Sequence, residues 1–208
     1  MTLVDADVIP AHLEHRVRLR DGRTLAAAEW GDPDGVPFIA MHGTPGGRIS
    51  WWKDPTIYQR YGLRRITLDR AGYGDSSRKR GRHVVDVVDD VAQLADALGF
   101  DRFLLEGGSG GGPHALATAA LLPDRVIRCH AAVSVAPFGL ADLDWIEGMT
   151  EGNVVEFNAA IQGEAPLSEL CSDLRVMSLN RLMENRVDWM GDDYELSEAD
   201  KAQMQKHF

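Results

Sequence analysis

The residues best equipped for chemistry are Gly107-Gly108-Ser109-Gly110-Gly111, a Gly-x-Ser-x-Gly pattern. A serine hydroxyl becomes a useful nucleophile when the backbone presents it to a base and to donors for the oxygen that turns negative. The surroundings of Ser109 suit that task. An apolar stretch, Phe103–Leu105, precedes it with strand character, and Pro113 opens an Ala/Leu-rich helix running to Leu122. Ser109 therefore stands on a strand-to-helix turn, where flanking glycines let strand and helix crowd together and the helix N-terminus favours negative charge. A flexible Gly/Ser linker has a similar composition, but apolar elements on both sides argue against one. The Gly-Lys-Ser/Thr ending of a phosphate-binding loop is missing.

A second cluster, His42-Gly43-Thr44-Pro45-Gly46-Gly47, follows the apolar strand Val36–Met41. Acyl transfer needs two donors aimed at the oxyanion. The Gly110 N–H, directly after the serine, is one candidate, and the Thr44 N–H is the other. Pro45 has no N–H to offer. His42 and Gly43 complete this oxyanion loop, His42 as a brace. A third cluster, Asp69-Arg70-Ala71-Gly72-Tyr73-Gly74-Asp75-Ser76, follows Arg65–Leu68. It reads as a turn with a charge network that orders the loops and breaks no bonds.

The elements that must position these residues alternate along the first half. His15–Arg20, the turn Asp21-Gly22 and Thr24–Trp30 read as a hairpin of two half-exposed strands. Val36–Met41 and Arg65–Leu68 are further strands, with a helix over Trp51–Tyr61 between them. His83–Leu98 is the clearest helix. Its apolar face carries Val84, Val87, Val88, Val91, Leu94, Ala95 and Leu98, while Asp86, Asp89, Asp90, Gln93 and Asp96 take the other face. Val126–Val135 is the last strand. This order implies an α/β fold: a small antiparallel start and a doubly wound, mostly parallel centre joined by right-handed crossovers. Later residues read as helices over Trp145–Ile161, Leu167–Met190 and Ser197–Phe208, broken at Gly163, Pro166 and Gly191, with Ser197 and Asp200 resembling a capping box.

In this order and spacing, HGTPGG, DRAGYGDS and GGSGGG resemble the alpha/beta-hydrolase superfamily, nearest to proline-iminopeptidase-like and esterase-type serine hydrolases. The resemblance covers residues 15–136. It implies a Ser-His-acid triad, a helical cap after the sixth strand, no cofactor, and a small-molecule ester or amide as substrate. Ser109 sets the chain apart from dehalogenase-like and epoxide-hydrolase-like members, which place Asp at that turn. On this reading residues 1–136 are the N-terminal part of the hydrolase core and 137–208 an acidic helical cap, whole or partial.

The triad acid and histidine are not recognisable here. The histidines are His12, His15, His42, His83, His114, His130 and His207. His114 is expected to point away from Ser109, His130 to lie in the core, and His207 to be a poor candidate base. Asp142 or Asp144, just after the sixth strand, stands where some variants of the resembled fold supply an acid, but solvated cap residues are the simpler reading. The last two strands of the resembled fold have no counterpart, so the chain reads as truncated, its sixth strand left as an edge open to a second copy or a completing segment. The competing reading is a catalytically incompetent or ligand-binding homologue.

Composition bounds the rest. The 208 residues are 44% hydrophobic and 26% charged, which is globular. Net charge is -10, and residues 137–208 carry all of it. An acidic half without a basic footprint argues against nucleic acid. It also raises the idea of carboxylates gripping a substrate amino group, although a solvated face is the simpler reading. The sequence has no spanning apolar run and no signal-peptide pattern at residues 1–16, so no membrane role is expected. Two cysteines, Cys129 and Cys171, suit a reducing, cytoplasmic setting. No metal is expected: His12-Leu13-Glu14-His15 has the wrong order for a zinc-protease helix.

Overall fold

The computed structural model describes residues 12–49 and 56–183. The chain divides into two compact units between Phe138 and Gly139. The first holds a six-stranded sheet. Its strands are β1 (Leu13–Arg18), β2 (Thr24–Gly31), β3 (Val36–Met41), β4 (Leu63–Leu68), β5 (Phe103–Gly108) and β6 (Val126–Ala132). They lie in the order β1-β2-β4-β3-β5-β6. The β1–β2 and β2–β4 pairs are antiparallel, and the pairs among β4, β3, β5 and β6 are parallel. This is the mostly parallel α/β sheet that the alternating pattern implies.

Helices cover both faces. α1 (Thr56–Arg60) contributes Tyr58, which packs with Ala28 and Trp30 of β2. α2 (Val87–Ala97) and α3 (Gly112–Leu121) lie over the other face, where Val91, Leu94 and Ala115 join Leu25, Ala27, Ile39, Ile66, Phe103 and Leu105. Alternate residues of β2 thus enter separate apolar clusters, as a strand with period two must when both sheet faces are covered. β2 is accordingly buried from Leu25 to Trp30, not half exposed. β1, on the sheet edge, keeps the half-exposed pattern.

Three further expectations need correction. Val84 and Val85 belong to a short 3-10 turn before α2 and are exposed. Asp90, assigned to the solvent face, is buried, because Arg23 reaches it with two hydrogen bonds of 3.0 and 2.5 Å. His130 is exposed, since β6 forms the other edge among the described strands and its alternate residues face outward. β6 ends at Ala132, and Val133 takes a positive φ of 44°.

The second unit contains α4 (Glu151–Gln162) and α5 (Glu164–Met183). α4 starts later than Trp145 because the Thr150 hydroxyl caps it, accepting from the Asn153 N–H at 3.4 Å. Trp145 instead packs edge-on against Phe157, ring centroids 4.4 Å apart. Gly163 separates the helices with φ 123°. Pro166 breaks nothing, because it falls in the first turn of α5, where its missing N–H would have no helical partner. The Ser197–Phe208 helix, Gly191 and His207 lie outside the described residues, as does the start of the Trp51–Tyr61 helix.

Candidate active site

The sheet order creates a place for a site. The chain leaves β3 for β4 on one side and later reaches β5 on the other, so the loops after β3 and β5 diverge at a topological switch point. In open α/β sheets the crevice at such a point receives ligands. Met41 pairs with Gly107 across that boundary, which places the His42–Gly47 loop beside the Ser109 turn.

Ser109 occupies a 3-10 turn, Ser109–Gly111, that leads directly into α3. Its φ is +50°, a left-handed conformation that costs a residue with a Cβ on the order of 1–2 kcal/mol. Tight packing beneath the turn holds it there. A side chain at Gly111 would run into the Met41 carbonyl oxygen, and one at Gly107 into Gly111 and Ala115. Gly43 also approaches closely: a Cβ there would be 3.2 Å from that of Ser109 and 3.7 Å from its Oγ. A Cβ on Gly110 would lie 2.7 Å from Thr44 Oγ1 and 3.4 Å from Thr44 N. Thr44, Gly110, Gly43 and Ser109 therefore form one cluster. Gly110, at the head of the turn, has an N–H of the kind a helix start leaves without an internal partner. Ser109 itself is exposed, so the serine does not stand in an enclosed dry cleft.

Beneath the cluster lies Arg70, 2% exposed, delivered by the loop after β4. Its Nη2 donates to the Gly43 carbonyl at 2.9 Å and to Thr44 Oγ1 at 3.0 Å, and Nη1 reaches the Gly110 carbonyl at 3.5 Å. One guanidinium thus ties the loop after β3 to the turn after β5. Tyr73 lies against it, ring centroid 4.9 Å away, with its hydroxyl 3.4 Å from Thr44 Oγ1. Burial pulls Arg70 below the ordinary arginine range, and the Arg82 charge acts in the same direction.

Two histidines flank Arg70. The Arg70 N–H donates to His42 Nε2 at 3.2 Å, so His42 Nδ1 carries the proton and donates to the Gly43 carbonyl at 2.7 Å. His114 does not simply point away: it is buried, with Nδ1 2.9 Å from the Gly110 carbonyl. Burial pushes both rings down to about 4, with the Arg70 charge adding to it, so both are neutral at neutral pH. Among the described residues, no histidine or carboxylate hydrogen-bonds to Ser109 Oγ.

Asp69, beside Arg70, is buried and accepts from the Arg48 N–H and Nη1, each at 2.6 Å, and from the Asp75 N–H at 3.0 Å. Ser76 joins this turn to β2: its hydroxyl donates to the Asp69 carbonyl at 2.7 Å and accepts from the Ala26 N–H at 2.9 Å. Reasoning from sequence left Arg70, Tyr73 and His114 without individual roles at the site. Nothing in their local pattern marks them, because the contacts that tie Arg70 and Tyr73 to Thr44, and Arg70 to His114, span 26 to 44 residues.

The family profile of the alpha/beta hydrolase fold matches residues 36–205. The chain belongs to this family. Its similarity to curated members is partial. It is 31% identical to a non-heme chloroperoxidase of Streptomyces lividans over 147 residues, covering 70% of this chain and 53% of that protein. It is 32% identical to a proline iminopeptidase of Xanthomonas citri over 119 residues, covering 54% and 36%. A crystal structure of a bacterial membrane phospholipase A superposes with a TM-score of 0.56 at 26% identity, covering 75% of this chain and 47% of that one. The chain thus spans about half or less of the length of these alpha/beta hydrolase relatives.

Proposed function

We propose that this chain carries the nucleophile and oxyanion site of a serine hydrolase acting on an ester or amide of a small molecule. The observation that supports this most is the strained backbone of Ser109, φ +50°, close against Gly43, with the next residue, Gly110, set against Thr44. Strain of this kind persists only where the surroundings over-determine it, and it collects at functional sites. In this reading Ser109 Oγ attacks the carbonyl carbon and the carbonyl π electrons move to oxygen. The Thr44 and Gly110 N–H groups receive that charge. Collapse of the intermediate expels the alcohol or amine, and water then releases the acyl group from Ser109. The proton of the Ser109 hydroxyl passes to a base that the described residues do not identify. Arg70 acts through others, holding both donors in place. Relatives named peptidase and phospholipase are consistent with acyl chemistry.

The helices after Phe138 are read as part of a cap, supported by their place after β6 and their acidic composition. A reducing compartment suits the two free cysteines, Cys129 and Cys171. Among the described residues no helix is long and apolar enough to cross a membrane.

The test is substitution of Ser109→Ala followed by hydrolysis of small esters. Loss of turnover supports Ser109 as nucleophile, and unchanged turnover discards it.

A further inference from the structure

Beside the Ser109 cluster, on the first unit, lies an open cleft of about 500 Å³. Its wall includes Tyr73, Arg78, Lys79, Arg80, Arg82 and His114, and it contains no carboxylate. Four cations in five consecutive positions are unexpected in a chain of net charge -10. Like charges held close repel one another, so such a wall is costly unless an anion joins it.

The nearby carboxylates already have partners, and only Lys79 of the wall is among them. Asp86 pairs with Lys79 at 2.7 Å and accepts from the His83 N–H. Asp90 is held by Arg23. Among the described residues, neither Arg80 nor Arg82 pairs with a carboxylate. Arg82 instead donates to the neutral acceptor Nε2 of His114 at 3.4 Å. A smaller cavity shares Lys79, Arg82 and His114 with the cleft, reaches Arg70, and is lined also by Asp86 and Asp90. Arg70 is buried, its Nε lacks a partner, and no carboxylate among the described residues pairs with it. Arg70 therefore places a further positive charge, buried and without a carboxylate partner, under the proposed oxyanion donors.

We propose that this cleft binds a phosphate group of the substrate, so that the bond opened at Ser109 belongs to a phosphorylated acyl compound. Arginine forks match the oxygens of a phosphate, and the Arg80 and Arg82 forks have no carboxylate partner among the described residues. Tyr73 and His114 join the cleft to the site, since Tyr73 lies against Thr44 and His114 against the Gly110 carbonyl. The link to catalysis rests on the Ser109 reading, whereas the binding itself does not.

The experiment is titration calorimetry of the full chain with inorganic pyrophosphate, and with malonate as the carboxylate control. Wild type and Ser109→Ala are expected to bind pyrophosphate equally. Binding should weaken at least tenfold in Arg80→Glu, in which the substituted residue is exposed, and should weaken as salt rises. Arg78→Ala serves as a second, milder variant and is expected to weaken binding as well. Equal pyrophosphate affinity in wild type, Arg80→Glu and Arg78→Ala, or no binding to wild type, overturns the proposal. Malonate binding as tightly as pyrophosphate overturns the choice of phosphate. Absence of any acylation of Ser109 in the wild type, with pyrophosphate binding intact, would remove the hydrolase reading alone.

Discussion

At Ser109 a conformational cost falls on the residue proposed as the nucleophile. A left-handed residue bearing a Cβ stores on the order of 1–3 kcal/mol, and glycine relieves it at the expense of extra unfolded-state entropy. Ser109→Gly is therefore expected to gain about 1 kcal/mol in urea unfolding while losing all reactivity. Instability of that variant would show that φ +50° is not strained here. His42 and His114 give a second expectation. Both titrate near 4 in the folded chain against an ordinary 6.5. Between those values the unfolded chain takes up protons that the folded chain refuses. Stability is complete above about pH 6.5 and falls as pH drops toward 4, on the order of 2 kcal/mol per ring. Urea midpoints at pH 7 and pH 5 should record the fall, and His114→Gln, which cannot take up that proton, should make it shallower. Equal slopes in the two proteins would contradict the assignment. That Ser109, Thr44 and Gly110 lie together was legible because the roles proposed for them need particular residue types at fixed spacing around a turn. Arg70 was not, since its value comes from the carbonyls that a distant loop brings to it.

Among the elements, the glycines set how closely loops and strands meet. A methyl at Gly111 must displace the Met41 carbonyl, which is backbone and cannot swing aside. Gly111→Ala is expected to cost about 3 kcal/mol in chemical unfolding, whereas at Gly108, with open space around it, the same change should cost under about 1 kcal/mol. Similar costs at both positions would mean that the turn can relax. Asp90→Ala should cost about 3 kcal/mol by the same measurement, because it removes the main partner of the Arg23 guanidinium in the interior. Hydrophobic period placed β3, α2 and α3 within a few residues. It failed at Asp90, since a helix face reads as solvated until another element supplies its counter-charge. It failed at His130 too, because whether a strand lies at the centre or edge of a sheet is a property of the sheet. Pro166 misled for a related reason: in a first helical turn, proline has no hydrogen bond to lose.

Across the whole molecule, the acidic charge and the basic cleft are separate features. The net charge of -10 sits in residues 137–208, while the cations of Arg78–Arg82 lie on the sheet-bearing unit. Parallel strands joined by helices made that unit's architecture readable, because right-handed crossovers leave few alternatives. The division near Phe138 shows in the sequence only as a change of charge and texture, which locates a boundary without describing the packing beyond it. The most direct test of Ser109 as an acylatable nucleophile is prolonged exposure of the chain to a fluorophosphonate, read by peptide mass spectrometry. Modification confined to the Ser109 peptide is expected, absent in Ser109→Ala and slowed at least tenfold in Gly110→Ala, where the added methyl presses on Thr44. Modification at other residues, or equal rates in the wild type and the Gly110 variant, would contradict it.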